Sequence, residues 1–227
     1  MEGVKLDILR RTEGLFIYQS VFYYICTEQI VMSKAERTKQ FIIERTSPVF
    51  NKKGYAGTSM SDLVEATGLT KGSIYGNFEN KDEVALAAFD YNFSAVISFI
   101  KQGMAKHTSV IDQLLVYPEI YRNYLQWPIL ESGCPILNTS TEADDTHPLL
   151  REKAANALKF WKASIERHIV RGLETKEIKK GTKADEFATI LMSLIEGALM
   201  QAKVTGRSEE LHTTMDYLEK LIRDLKR

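Results

Sequence analysis

The sequence predicts an all-α fold in two parts, a compact set of three short helices followed by a larger helical bundle. Three observations carry this. From Ser33 onward apolar residues recur at spacings of three and four, the period of a helix face. No stretch shows the alternation of a half-buried strand. Only 13 glycines and 5 prolines interrupt 227 residues, so long helices are possible.

Composition narrows the class further. At 44% hydrophobic and 26% charged, the chain can bury a core without disulfides or a metal, which excludes a disordered or collagen-like protein. Thirty basic and thirty acidic side chains cancel, so contact with nucleic acid would need a local patch. Cys26 and Cys134 form no framework and suit a reducing cytosol, so a cytoplasmic protein is expected. Leu15 to Cys26 is apolar but too short for the roughly 20 residues that cross a bilayer, and its flanks suit neither a signal peptide nor a cleavage site. No membrane association is expected of the folded part. Met32-Ser33-Lys34-Ala35-Glu36-Arg37 reads as a protein beginning, so residues 1–31 are taken as an N-terminal extension that is not translated or is poorly ordered. An extra helix packing Phe16, Tyr23 and Tyr24, or a weak membrane-surface anchor, are the competing readings.

The first helix runs from Ser33 to Lys52-Lys53-Gly54, with last-turn cations and a glycine stop. Pro48 removes one backbone donor within it and predicts a kink. Thr58-Ser59 cap a helix of barely two turns, Met60 to Thr67, that stops at Gly68. Thr70 caps another, ending at Asn77, and Asn80-Lys81-Asp82-Glu83 opens a long helix near Val84. Two short helices around a glycine turn, with Leu63, Ala66, Leu69 and Ile74 facing one another, form a helix-turn-helix pattern. The second helix offers Lys71, Gly72, Ser73 and Asn77 outward, small and polar groups that a major groove can admit. A three-helix core with no ligand is the plainer alternative.

The run Gly54-Tyr55-Ala56-Gly57-Thr58-Ser59-Met60-Ser61-Asp62-Leu63, then Ala66-Thr67-Gly68-Leu69-Thr70-Lys71-Gly72-Ser73-Ile74-Tyr75-Gly76-Asn77-Phe78 and Asn80-Lys81-Asp82-Glu83, resembles the DNA-binding domain of TetR-family transcriptional repressors. The likeness covers about fifty residues; Pro48 departs from it. It implies a helix-turn-helix DNA-binding domain over 33–83 and a helical effector-binding and dimerisation domain over 84–227. It further implies that Thr70 and Lys71 meet DNA at the start of the recognition helix, that Ser73 faces base edges beside Gly72, and that Tyr75, Asn77 and Lys81 contact phosphates. Ser59, at a helix N-terminus, is expected to donate to a phosphate as well. Lys34 to Lys53 carries six cations and two anions, a modest phosphate-facing patch.

Beyond residue 84 the expected helices are Val84–Lys106, Ser109–Trp127 with a kink at Pro118, Pro148 to about Glu174, Lys183–Lys203 and a final one. Leu130–His147 reads as a long connection with at most one short helix. No catalytic motif is present: His107, His147, His168 and His212 lack metal spacing, and Glu142, Asp144 and Asp145, which look like a metal cluster, sit where carboxylates cap a helix. No cofactor or metal is expected. Tyr121, Tyr124, Trp127, Cys134, Phe160 and Trp161 are the effector-pocket candidates, suited to a hydrophobic or aromatic small molecule, with plain core packing as the alternative. Cys134 could instead sense oxidants, against the plainer reading of a buried small hydrophobe.

Ala188, Leu191, Ile195, Ala198, Leu199 and Ala202, with Leu218, Leu221, Ile222 and Leu225, form apolar stripes on the last two helices. Either they face their own core or, as the resemblance implies, they build a four-helix bundle in a homodimer. The expected function is a DNA-binding regulator, a repressor released from double-stranded operator DNA by a small effector. An all-helical enzyme or an interaction module with a degenerate helix-turn-helix is the alternative.

Overall fold

The computed structural model describes residues 33–227; the N-terminal extension, with the readings attached to it, lies outside them. Among the described residues nine α-helices follow in order, α1 Lys34–Lys53, α2 Met60–Thr67, α3 Lys71–Tyr75, α4 Lys81–Met104, α5 Val110–Arg122, α6 Pro135–Ala143, α7 Pro148–Glu174, α8 Ala184–Thr205 and α9 Glu209–Arg223. No strand occurs among the described residues beyond one isolated bridge, Ile178 with Lys226.

Local chemistry sets most boundaries. Ser33 and Glu36 form a reciprocal capping box at the start of α1, at 3.2 and 2.7 Å. Gly54 ends α1 at φ 73° and Gly68 ends α2 at φ 68°, left-handed positions that strain a residue with a Cβ. α1 continues through Pro48. There the Thr46 and Ser47 hydroxyls bond carbonyls one turn back, and Asn92 of α4 donates to the Ser47 carbonyl at 2.9 Å. The expected Ser109–Trp127 helix stops at Arg122, and a 3₁₀ turn, Tyr124–Gln126, replaces its last part.

Two cores form. Ile42, Phe50, Leu63, Ile74 and Phe78 close the first, together with Val84, Ala85 and Ala88 from the opening turns of α4. From Phe89 onward α4 belongs to the second and larger core, where it packs on α5, α6 and α7. The division drawn at residue 84 therefore falls within one continuous helix that serves both cores. α8 and α9 pack on each other and on α5, and α7 lies against α8. α4 and α8 are long and apolar enough to cross a membrane by length and composition alone; in this fold each buries one face in the bundle.

Candidate nucleic-acid interface

Burying Leu63 and Ile74 completely, and Phe78 almost so, seats α2 and α3 against α1 and α4 and decides what they show outward. Lys71, Gly72 and Tyr75 are exposed and Ser73 is half-buried. The Thr70 oxygen accepts from the Ser73 N–H at 3.1 Å, capping α3, and its hydroxyl hydrogen remains available to another acceptor. The Lys71 ammonium sits 5.8 Å from the Tyr75 ring centre, which puts a cation and a phenol on one face. Among the described residues a Cβ added at Gly72 would meet nothing nearer than the Thr70 oxygen at 4.0 Å, so their packing does not require a glycine there. A bare backbone at an exposed helix start fits close approach by a partner.

Other expected contacts have partners already. The Ser59 hydroxyl donates to the Asp62 carboxylate at 2.8 Å and accepts from the Asp62 N–H, so the expected phosphate donor is taken up in a cap. Asp62 also pairs with Lys53 at 2.6 Å, and these bonds, that of Lys53 first, hold its carboxyl down at about 2. Asn77 donates its amide to the Ser73 carbonyl at 2.9 Å, closing the end of α3. The Lys81 ammonium lies 4.2 Å from the Tyr55 ring centre, and the Tyr55 hydroxyl bonds Asp82, which pushes that phenol up to about 12. Lys39 is tied to Glu83 at 2.7 Å. Two of the six α1 cations are thus neutralised locally, and the patch is smaller than its sequence count.

A polar seam joins the two cores, and sequence reasoning missed it. Asn51 of α1 donates to the Gly133 carbonyl at 3.2 Å, and Asn138 of α6 donates to the Asn51 side-chain oxygen at 2.9 Å. Lys203 of α8 reaches Asn138 at 2.8 Å. Glu142 accepts from the N–H groups of Tyr55 and Ala56, and the His147 ring meets Tyr55 edge-on at 4.6 Å. The carboxylate run weighed as a metal site thus sends its first member into the seam, and no metal-binding group of side chains occurs among the described residues. Only contacts more than eighty residues apart in sequence reveal this role.

Of the six pocket candidates, Tyr121, Cys134 and Trp161 come together around one narrow cavity, with Phe93 and Ile97 of α4. The other three do not line it. Tyr124 is buried in the 3₁₀ turn, Trp127 packs on Phe99 at 4.9 Å, and Phe160 lies on the surface against Phe93. Burial pushes the Cys134 thiol well up, with the Glu196 carboxyl acting the same way, which favours the small-hydrophobe reading over a reactive thiolate.

The interface stripe needs a correction. Ala188, Leu191, Ile195, Leu199, Leu218 and Ile222 are fully buried within the single chain, and Ala198, Ala202 and Leu225 nearly so; Leu221 is half-buried. Apart from Leu221 they are core, and their side chains are out of a partner's reach. The outward face of α8 is instead Ile190, Ser193, Gly197, Met200 and Val204, again at spacings of three and four, with Tyr217 exposed on α9.

Comparison with known proteins agrees with this architecture. Residues 42–88 match the family described as bacterial regulatory proteins, tetR family, and residues 110–218 match a tetracyclin repressor-like C-terminal domain. A TetR-family transcriptional regulator from Cytophaga hutchinsonii is 45% identical, with a TM-score of 0.81 over 86% of this chain and 98% of its own. The transcriptional repressor DhaR from Mycobacterium sp. (strain GP1) is 26% identical over 178 residues, 76% of this chain and 86% of its own. FadR of Bacillus subtilis, solved in complex with stearoyl-CoA, is 17% identical with a TM-score of 0.65, covering 81% of this chain and 96% of its own, and shares the fold.

Proposed function

The chain belongs to the TetR family of bacterial transcriptional regulators, and from that premise we propose that it represses its target genes as a homodimer released from operator DNA by a small molecule. The observation that carries the DNA contact is the α3 surface, where Lys71, Gly72 and Tyr75 stand exposed while Ile74 is wholly buried. Lys71 and Tyr75 suit phosphates, and the Thr70 hydroxyl and Ser73 suit base edges. Ser59, Asn77 and Lys81 act less directly: each is held by a partner and orients the helices, while Asn77 and Lys81 keep hydrogens to offer phosphates.

One α3 offers few base contacts. Two of them, joined in a dimer with the roughly 34 Å spacing of successive major grooves, bind far more tightly through effective concentration. The outward stripe of α8 supports this, because Ser193 and Gly197 allow close helix approach between Ile190, Met200 and Val204. A Cβ at Gly197 would meet nothing within 4 Å among the described residues. The cavity beside Tyr121, Cys134 and Trp161 supports an effector held in the helical bundle, as the Bacillus protein of the same fold binds stearoyl-CoA. Such a ligand favours one of two dimer geometries, and operator affinity follows the population. The protein would act in the cytoplasm, on the chromosome.

A gel shift with the intergenic DNA upstream of the chain's own gene tests the reading, followed by footprinting. Retardation with protection of two half-sites about one helical turn apart is expected. Equal affinity for that DNA and for random duplex would overturn it.

A further inference from the structure

Glu196, on α8, is the one residue among those described whose two carboxyl oxygens are both buried with only a thiol, that of Cys134, beside them as a hydrogen-bond partner. We propose that the effector is a small apolar amine whose ammonium pairs with the Glu196 carboxylate beside the cavity formed by Phe93, Ile97, Tyr121, Trp161, Cys134 and Pro135. This deepens the effector reading above and rests on it.

Three observations converge. The Cys134 thiol hydrogen-bonds with the Glu196 carboxyl, and the Tyr121 phenol lies within electrostatic reach of both, so the carboxyl neighbours two residues that line the cavity. Among the described residues no lysine or arginine acts on it; burial and the Cys134 thiol are the influences there. A carboxylate removed from water without a cation opposes folding, and a buried one met only by a thiol, a weak donor, calls for a stronger partner. The remaining walls are aromatic and aliphatic. Tyr121 and Trp161 rings stand 6.3 Å apart, and aromatic faces attract an ammonium. A carboxylate effector would meet repulsion at the same place.

The cavity is narrow, with room for roughly one water molecule. An amine bearing a ring must therefore push the Cys134-Pro135 corner away from α4 and α7. That corner opens α6, which carries Asn138 and Glu142 into the seam with α1 and the turn after it. Entry of the ligand and release of the DNA-binding core thus share one moving part.

Three probes of one shape test the proposal: benzylamine, benzyl alcohol and benzoate, titrated into the full chain and followed by calorimetry and thermal melting. Benzylamine should bind at least tenfold more tightly than benzyl alcohol, with benzoate weakest. In Glu196→Gln, which keeps the volume and removes the charge, the amine and the alcohol should agree within twofold. Three probes binding alike, no probe binding at all, or an amine preference that survives in Glu196→Gln would each overturn the inference. The comparison of probes on the unaltered protein stands even if the variant does not fold. A gel shift in the presence of benzylamine separates the two readings. Amine binding that depends on Glu196 but leaves the operator complex intact supports the site and overturns the effector role. Release of the operator by a non-amine ligand that binds elsewhere overturns the site and keeps the effector role.

Discussion

The Glu142 carboxylate accepts the backbone N–H of Tyr55 at 2.8 Å, across 87 residues of sequence, and its second oxygen takes the N–H of Ala56 at 2.7 Å. Gly54, at φ 73°, turns the chain so that both N–H groups point at α6, and a Cβ on Gly54 would collide with that carboxylate. The link joins the turn that precedes the helix-turn-helix to the helix beside the cavity. It therefore lies between the two activities assigned to this chain.

Removing the carboxylate should loosen the seam. Glu142→Ala loses two charge-assisted hydrogen bonds at a partly buried site, which amounts to about 1 to 3 kcal/mol. Gly54→Ala should destabilise by a similar amount, from left-handed backbone strain together with the clash. Urea unfolding measures both; stabilities equal to the parent in both variants would remove the seam as a structural element.

On α3, Lys71→Ala should weaken operator and random DNA alike and flatten the salt dependence, because an exposed ammonium answers to phosphate charge. Ser73→Ala should change preference at one base position by roughly 1 to 3 kcal/mol. Binding assays at two salt concentrations separate these effects, and parental behaviour in both variants would mean that α3 is not the reading helix.

Charges on the two faces of α8 should act differently. Val204→Glu, at a position 82% exposed in the single chain, or Met200→Glu should give a folded monomer with weak operator binding. Leu191→Glu and Ile195→Glu put the charge at fully buried positions and should unfold the bundle instead. Light scattering with circular dichroism tells monomer from unfolded chain. Intact dimers in both outward variants would place the interface elsewhere.

Stability should fall as the solution passes from acid to neutral. Burial raises the Glu196 carboxyl from its ordinary 4.5 to about 7, so the folded chain holds a proton that the unfolded chain releases between those values. The contribution is fully present below about 4.5 and is lost by the time pH has risen through 7, a change of about 3 kcal/mol. Cys134 and Tyr121, which face the group from α6 and α5, are themselves raised by burial and stay neutral over this range. Lys203, the nearby cation on α8, interacts with Cys134 and bonds Asn138. Glu196→Gln should flatten this part of the pH profile in denaturant melts, and an unchanged slope would show that the carboxyl is ionised throughout.

By itself the sequence determined what depends on near neighbours. Ser33, Ser59, Thr70, Asn80 and Ser109 cap helices because their oxygens reach an N–H three residues on, and Gly54 and Gly68 end them because the backbone turns left-handed there. The helix-turn-helix was legible for the same reason. Its two helices are neighbours in sequence, so the spacing of Leu63 and Ile74 already implied which side faced outward. Tertiary structure alone decided the rest. α8 is apolar around most of its circumference, and periodicity could not say which stripe met its own core; packing against α5, α7 and α9 buried Leu191 and Ile195 and left Ile190, Met200 and Val204 outside. Likewise Glu142 and Glu196 are ordinary helix glutamates in the sequence. One became a bridge and the other a buried carboxyl facing only a thiol when chain segments distant in sequence closed around them, because desolvation and hydrogen-bond geometry depend on what arrives from elsewhere.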